Sequence, residues 1–127
     1  RHPELARAHT GLGIALRDQG KLEAARKALE HAAELAPRKI DPLNELGILH
    51  RRAGRFEAAR EAYERALAID PDDAIVHHNV GVLCDLYLRD LDCALRHYQR
   101  YQALTEEEDR QVALWIADLS RRQERES

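Results

Sequence analysis

Pro3, Pro37 and Pro71 stand 34 residues apart, and so do Gly13, Gly47 and Gly81. Gly20 and Gly54, Ala25 and Ala59, and Ala32 and Ala66 keep the same offset. The neighbours of the central glycines follow it too, with Leu12, Leu46 and Val80 before them and Ile14, Ile48 and Val82 after. A fixed period of this length means stacked supersecondary units, each too small to bury its apolar face alone.

The residues between these markers read as helix pairs. Leu22, Ala25, Leu29 and Ala32 recur at i, i+3, i+7 and i+10, and Phe56, Ala59, Tyr63 and Ala66 repeat the pattern. Leu43, Leu46, Gly47 and His50 mark one face of the preceding helix. Asp18-Gln19-Gly20 and Arg52-Ala53-Gly54 supply short turns, where Gly can take the left-handed conformation. Pro37 and Pro71 stop the second helix of each pair. Asp41-Pro42 is expected to restart the chain, with Asp41 as N-cap and Pro42 at the first helical position. Each unit is thus an antiparallel helical hairpin, and Gly47 is expected to cross against Ala59 where its two helices meet.

Composition agrees with helix and excludes other classes. Ala, Leu, Arg and Glu dominate, and 6 Gly with 4 Pro are few for a turn-rich β protein. Hydrophobic residues at 44% exclude a disordered chain. No apolar run approaches the roughly 20 residues that span a bilayer. Two Cys exclude a disulfide-dense scaffold, and a net charge of −3 gives no general drive toward nucleic acid.

The landmarks together resemble the tetratricopeptide repeat (TPR) family. The second unit carries Leu43, Leu46-Gly47, His50, Ala59, Tyr63, Ala66 and Pro71. The first carries His9, Leu12-Gly13, Leu16, Ala25, Leu29, Ala32 and Pro37, and the third His77, Val80-Gly81, Cys84, Ala94, Tyr98 and Tyr101. The resemblance implies an all-α fold, a right-handed α-solenoid of antiparallel helical hairpins. It would form one domain over residues 1–127, with repeats at about 6–39, 40–73 and 74–108 and a solvating helix at about 106–122.

The third unit departs from the pattern. Leu91-Asp92-Cys93-Ala94 matches Phe56-Glu57-Ala58-Ala59 at an offset of 35, so one residue is inserted, and its turn Leu88-Arg89-Asp90 lacks Gly. Thr105-Glu106-Glu107-Glu108 replaces the closing Pro and reads as a capping box for a final helix. That helix shows Val112, Trp115, Ile116 and Leu119 on one stripe, with Tyr101 as a docking surface; beyond Leu119 no apolar anchor remains, and fraying is expected.

Little in the chain resembles chemistry. Ser occurs only at Ser120 and Ser127, outside the repeats, so no serine triad can form there. Gly11-Leu12-Gly13 lies mid-helix and is no phosphate loop. Carboxylates alternate with Arg on helix surfaces, as in Glu61 and Arg65. His77, His78 and His97 lack the i, i+4 spacing of a zinc helix, so no metal, cofactor or catalytic residue is assigned. Cys84 and Cys93 sit on opposite helices of one hairpin; two buried or half-buried thiols are expected, with a disulfide as the geometric alternative.

In the resembled family the concave groove receives peptides or extended segments of partner proteins. The positions facing it map onto Arg7, Thr10, Ile14 and Arg17, then Asn44, Ile48, Arg51 and Arg52, then Ile75, His78, Val82 and Asp85, with Asp18 and Asp41 beside them. Ile14, Ile48 and Val82 would form an apolar stripe, with cations toward the first half and Asp72, Asp73 and Asp85 toward the second. An acidic end of the segment is expected near Arg51 and Arg52. Family members that clamp heat-shock chaperone C-termini use Lys, Asn and Arg where Thr10, Ile14, Glu45, Ile75 and Asn79 stand here, so that ligand is not expected.

The functional expectation is a non-catalytic protein-interaction scaffold, with no nucleic-acid partner and no membrane insertion. The alternative is a structural or oligomerisation module of a bacterial multiprotein assembly, such as one of the cell envelope, with self-association through the first hairpin or Leu114. Arg far outnumbers Lys (only Lys21, Lys27 and Lys39), which suggests a GC-rich bacterial source and a cytoplasmic or periplasmic setting. The absence of Met and the place of Pro3 lead us to expect a longer parent chain with a further hairpin before Arg1.

Overall fold

The computed structural model describes residues 3–126. The expectation placing Arg1 and His2 in the tail of an upstream repeat lies outside them. Among the described residues there are seven α-helices and no strand. They are α1 (Pro3–Asp18), α2 (Leu22–Leu35), α3 (Asp41–Arg52), α4 (Phe56–Ile69), α5 (Ala74–Leu83), α6 (Leu91–Leu104) and α7 (Arg110–Glu126), with a π-helical turn at Cys84–Leu88. The chain forms two compact units, residues 1–71 and 72–127.

In the first unit α1 pairs with α2 and α3 with α4, and α2 and α1 both pack on α3. Gly20 and Gly54 close the two hairpins at φ 80° and 77°, a conformation that strains any residue with a Cβ. Ala25, Leu29, Ala32, Leu46, Ala59, Tyr63 and Ala66 are fully buried. The close helix approach adds a large side chain to the expected Gly–Ala crossing, and Ala25 O itself lies 3.4 Å from a Cβ added at Gly13. A Cβ added at Gly13 would stand 2.5 Å from Leu29 Cγ, and one at Gly47 would overlap the Tyr63 ring. Each glycine makes room for a large side chain, and the small alanines lie beside it. Asp41 is the first residue of α3 and Ile40 precedes it without a side-chain cap, so the start lies one residue earlier than expected.

In the second unit α5 and the π-turn pack on α6, and α6 packs on α7. The inserted residue is absorbed by the π-turn, whose wider ring adds one residue to a helix without ending it. Cys84 O accepts both the Arg89 and the Asp90 N–H, the latter at 2.9 Å. With no Gly available, Arg89 itself takes the left-handed conformation at φ 54°. Cys84 and Cys93 are joined in a disulfide across this turn, Cα atoms 5.9 Å apart, which corrects the expectation of two thiols. The π-turn brings Cys84 opposite the first turn of α6, where Asp90 Oδ1 caps the Cys93 N–H at 3.1 Å.

The start of α7 also differs from expectation. Asp109, not Thr105, is its cap: Asp109 Oδ1 accepts from Val112 N–H at 3.1 Å, while Thr105 Oγ1 donates to Gln102 O at 3.2 Å and ends α6. The Tyr101 hydroxyl donates to Asp109 Oδ2 at 2.9 Å, and the Gln102 side chain bonds both the N–H and the C=O of Asp109. These α6 side chains hold Asp109 in place, which no local pattern encodes. Val112 and Leu119 are buried and Trp115 stacks toward Tyr98 at 5.3 Å, as the apolar stripe requires. The helix runs to Glu126, with Arg122 reaching Asp118 and Asp85.

Candidate functional site

In the first unit the candidates lie on one face of α1 and of α3. Arg7, Thr10, Ile14 and Arg17 follow the i, i+3, i+7, i+10 spacing that puts side chains on one helix stripe. Asn44, Ile48 and Arg51 are half-buried along α3, and Arg52 is exposed at its end. The Ile14 and Ile48 side chains remain partly open to solvent.

The cations of this face differ in how far they are committed. Arg17 Nη1 lies 2.5 Å from Glu45 Oε2, and the Arg17 side chain is only 8% exposed. Arg52 Nη1 lies 3.2 Å from Asp18 Oδ1 at the surface. Arg51 stands beside the Tyr63 hydroxyl; burial pushes that phenol up to about 12, against the opposing pull of Arg51. Arg7 is exposed, and among the described residues no carboxylate lies within ion-pair distance of it or of Lys39.

Between α1 and the start of α3 lies a cavity of about 290 Å³. Ala6, Arg7, Thr10, Gly11 and Ile14 form the α1 wall, and Lys39, Asp41 and Pro42 form the other. Ala6 and Pro42 are buried and give an apolar floor. Thr10 Oγ1 donates to Ala6 O at 2.9 Å, which turns its lone pairs outward. Ala6 and Pro42 are absent from the sequence-based set, because the groove pattern does not extend to residues beneath it. Lys39 is absent from that set too, since it stands between α2 and α3 and not on either helix.

In the second unit the candidates separate into two roles. Ile75 is 65% exposed and Val82 is half-buried, both on one face of α5. His78 instead sits among Tyr98, Tyr101 and Trp115, with ring centroids 6.2, 5.0 and 6.1 Å away. Asp85 accepts from the Tyr98 hydroxyl at 3.4 Å and faces Arg122 at 3.7 Å. Burial and the neighbouring Asp85 push the Tyr98 hydroxyl well above the usual phenol range. His78 and Asp85 thus hold α7 to its hairpin. Beneath them His77 and His97 share a hydrogen bond, Nδ1 to Nδ1 at 2.9 Å, in which one ring donates and the other accepts.

Among the described residues no three His, Cys, Asp or Glu side chains gather as a metal site, and no helix is long and apolar enough to cross a membrane. No curated protein matches the chain in sequence. Solved structures do match in fold. The first TPR domain of Spaghetti (RPAP3) bound to an HSP90 peptide is 18% identical, with a TM-score of 0.82 over 93% of this chain and 92% of that one. PcrH in complex with the chaperone-binding region of PopD is 19% identical, with a TM-score of 0.80 over 92% of both chains. The Yersinia enterocolitica type III secretion chaperone SycD, in complex with a peptide of the translocator YopD, is 15% identical, with a TM-score of 0.82 over 92% of this chain and 93% of that one. The Tetratricopeptide repeat family model matches residues 1–40, 10–74 and 44–84. Helical hairpins closed at Gly20 and Gly54, glycines opened for Leu29, Tyr63 and Tyr98, and this match agree, and the chain belongs to the tetratricopeptide repeat family.

Proposed function

We propose that the chain is a non-catalytic interaction module that binds an extended segment of a partner protein along the first helix of each hairpin. The observation that carries this reading is the face of α1 and α3 in the first unit. It offers a cavity floored by Ala6 and Pro42 and lined by Ile14 and Thr10, with partly open Ile48 and Asn44 farther along α3. Apolar recesses with a few polar groups at the edge suit alternate side chains of an extended peptide. The structural relatives with Spaghetti, PcrH and SycD bind peptide segments of their own partners. Thr10, Ile14, Glu45, Ile75 and Asn79 argue against a heat-shock chaperone tail as the ligand here.

The test is a selection from displayed random peptides, followed by a ¹⁵N NMR titration with the strongest binder. Shifts at Thr10, Ile14, Asn44 and Ile48, with none at Lys27, Glu34 and Glu64, support the reading. Shifts confined to the latter group, or no selected peptide at all, would sink it.

Self-association is the second reading, and one observation favours it. Leu5 and Leu12 are 46% and 49% exposed on one face of α1, at i and i+7. A light-scattering mass that rises with concentration in the wild type and not in Leu5→Gln/Leu12→Gln would select this reading.

A further inference from the structure

We infer that the cavity between α1 and the start of α3 receives an acidic side chain of the partner segment, held between Arg7 and Lys39. This rests on the peptide-binding reading above and names the chemistry that the bound segment must carry at one position.

Three observations place the acid there and not at Arg51 and Arg52. The first is the ion-pair inventory. Arg17 is taken by Glu45, Arg52 by Asp18, and Arg51 stands against the Tyr63 hydroxyl, whereas Arg7 and Lys39 have no carboxylate in reach among the described residues. The second is position: Arg7 and Lys39 line one cavity, Arg7 from α1 and Lys39 from the segment before α3. The third is size and lining. About 290 Å³ suits one or two side chains, and Ala6, Ile14 and Pro42 provide an apolar surface for the methylenes of a Glu.

Asp41 is the one carboxylate in the lining, and it stands in the first turn of α3. A carboxylate there is favoured by the unpaired N–H groups of the helix start. It leaves the cavity with two cations against one anion. The excess favours an anionic guest over a neutral or basic one, and a screened interaction that weakens with salt.

The experiment uses the whole chain and the displayed peptides described above. The strongest binder is made in two forms, with its acidic residue as Glu and as Gln. Wild type, Arg7→Gln/Lys39→Gln and Asp41→Asn are compared by fluorescence anisotropy, with far-UV circular dichroism as the check on folding. The expected result is enrichment of Asp or Glu at one position. The Gln peptide should bind wild type about ten-fold more weakly, the strength of a charge-assisted contact at a partly open site. The double variant should lose that preference while binding the Gln peptide as wild type does, and Asp41→Asn should strengthen it. Selected peptides with no common acid, or a Glu preference that survives in the folded double variant, overturn the inference while the peptide-binding reading stands. No selected peptide at all removes both.

Discussion

Arg17 Nη1 lies 2.5 Å from Glu45 Oε2, and this contact ties the first hairpin to the second. Arg17 had the sequence signature of a groove residue, but its side chain is nine-tenths buried, and its Nε has no hydrogen-bond partner. Asp18 Oδ1 lies 3.6 Å from that Nε and is shared with Arg52, so Glu45→Gln removes the nearer of two charge partners in a partly dry site. We expect a loss of about 1.5–3 kcal/mol, read from urea unfolding. Arg17→Leu/Glu45→Leu should lose less than the single change, since no uncompensated charge remains. Equal losses would mean that the pair is solvated.

The glycines divide by what stands opposite them. Gly81→Ala drives a Cβ to 2.5 Å from Tyr98 Cδ1 and should destabilise by about 1–3 kcal/mol. Gly11 is helical and has nothing within 4 Å of an added Cβ, so Gly11→Ala should stabilise by about 0.5–1 kcal/mol. Thermal melts of the two variants should move in opposite directions.

Arg89 holds a left-handed conformation at φ 54° that Gly takes freely. Arg89→Gly removes the Cβ conflict and should raise stability by up to about 1 kcal/mol, offset in part by the greater freedom of Gly in the unfolded chain. A lower melting temperature in this variant would show that the Arg89 side chain contributes something its backbone costs.

His50 has its pKa lowered, first by burial and then by Arg55. A base depressed in the folded state binds fewer protons there than in the unfolded chain. Its contribution is whole above the ordinary value of 6.5 and is lost as pH falls from there through the folded value. The drop in urea midpoint between about pH 7.5 and about pH 5 should therefore be smaller in His50→Gln than in the wild type. An identical drop in both would show that His50 carries none of the acid sensitivity.

Asp109 has its carboxyl held below the usual range, first by the Val112 N–H and then by the Tyr101 hydroxyl. Asp109→Ala should loosen the start of α7 and change the emission of Trp115, the only tryptophan in the chain. Glu108→Ala should leave both unchanged. The reverse order would restore Thr105 and Glu108 as the cap.

The chain by itself determined the hairpins, their turns and the face on which the candidate residues lie. All three follow from spacing: a 34-residue period, helical i, i+3, i+7 stripes, and glycines at two turns. Such features are local, and each is set by residues a few positions apart. Tertiary structure decided what depends on partners far along the chain. Tyr101 and Gln102 choose Asp109 over Thr105 as the cap, although Thr105-x-x-Glu108 is the better local pattern. Cys84 meets Cys93 because a π-turn takes up the inserted residue. Tyr63, rather than Ala59, fills the space that Gly47 leaves. Among the groove cations, residue type is the same for Arg7, Arg17 and Arg52. Only the three-dimensional position of Glu45 and Asp18 separates the arginines that brace the fold from the one left facing a cavity.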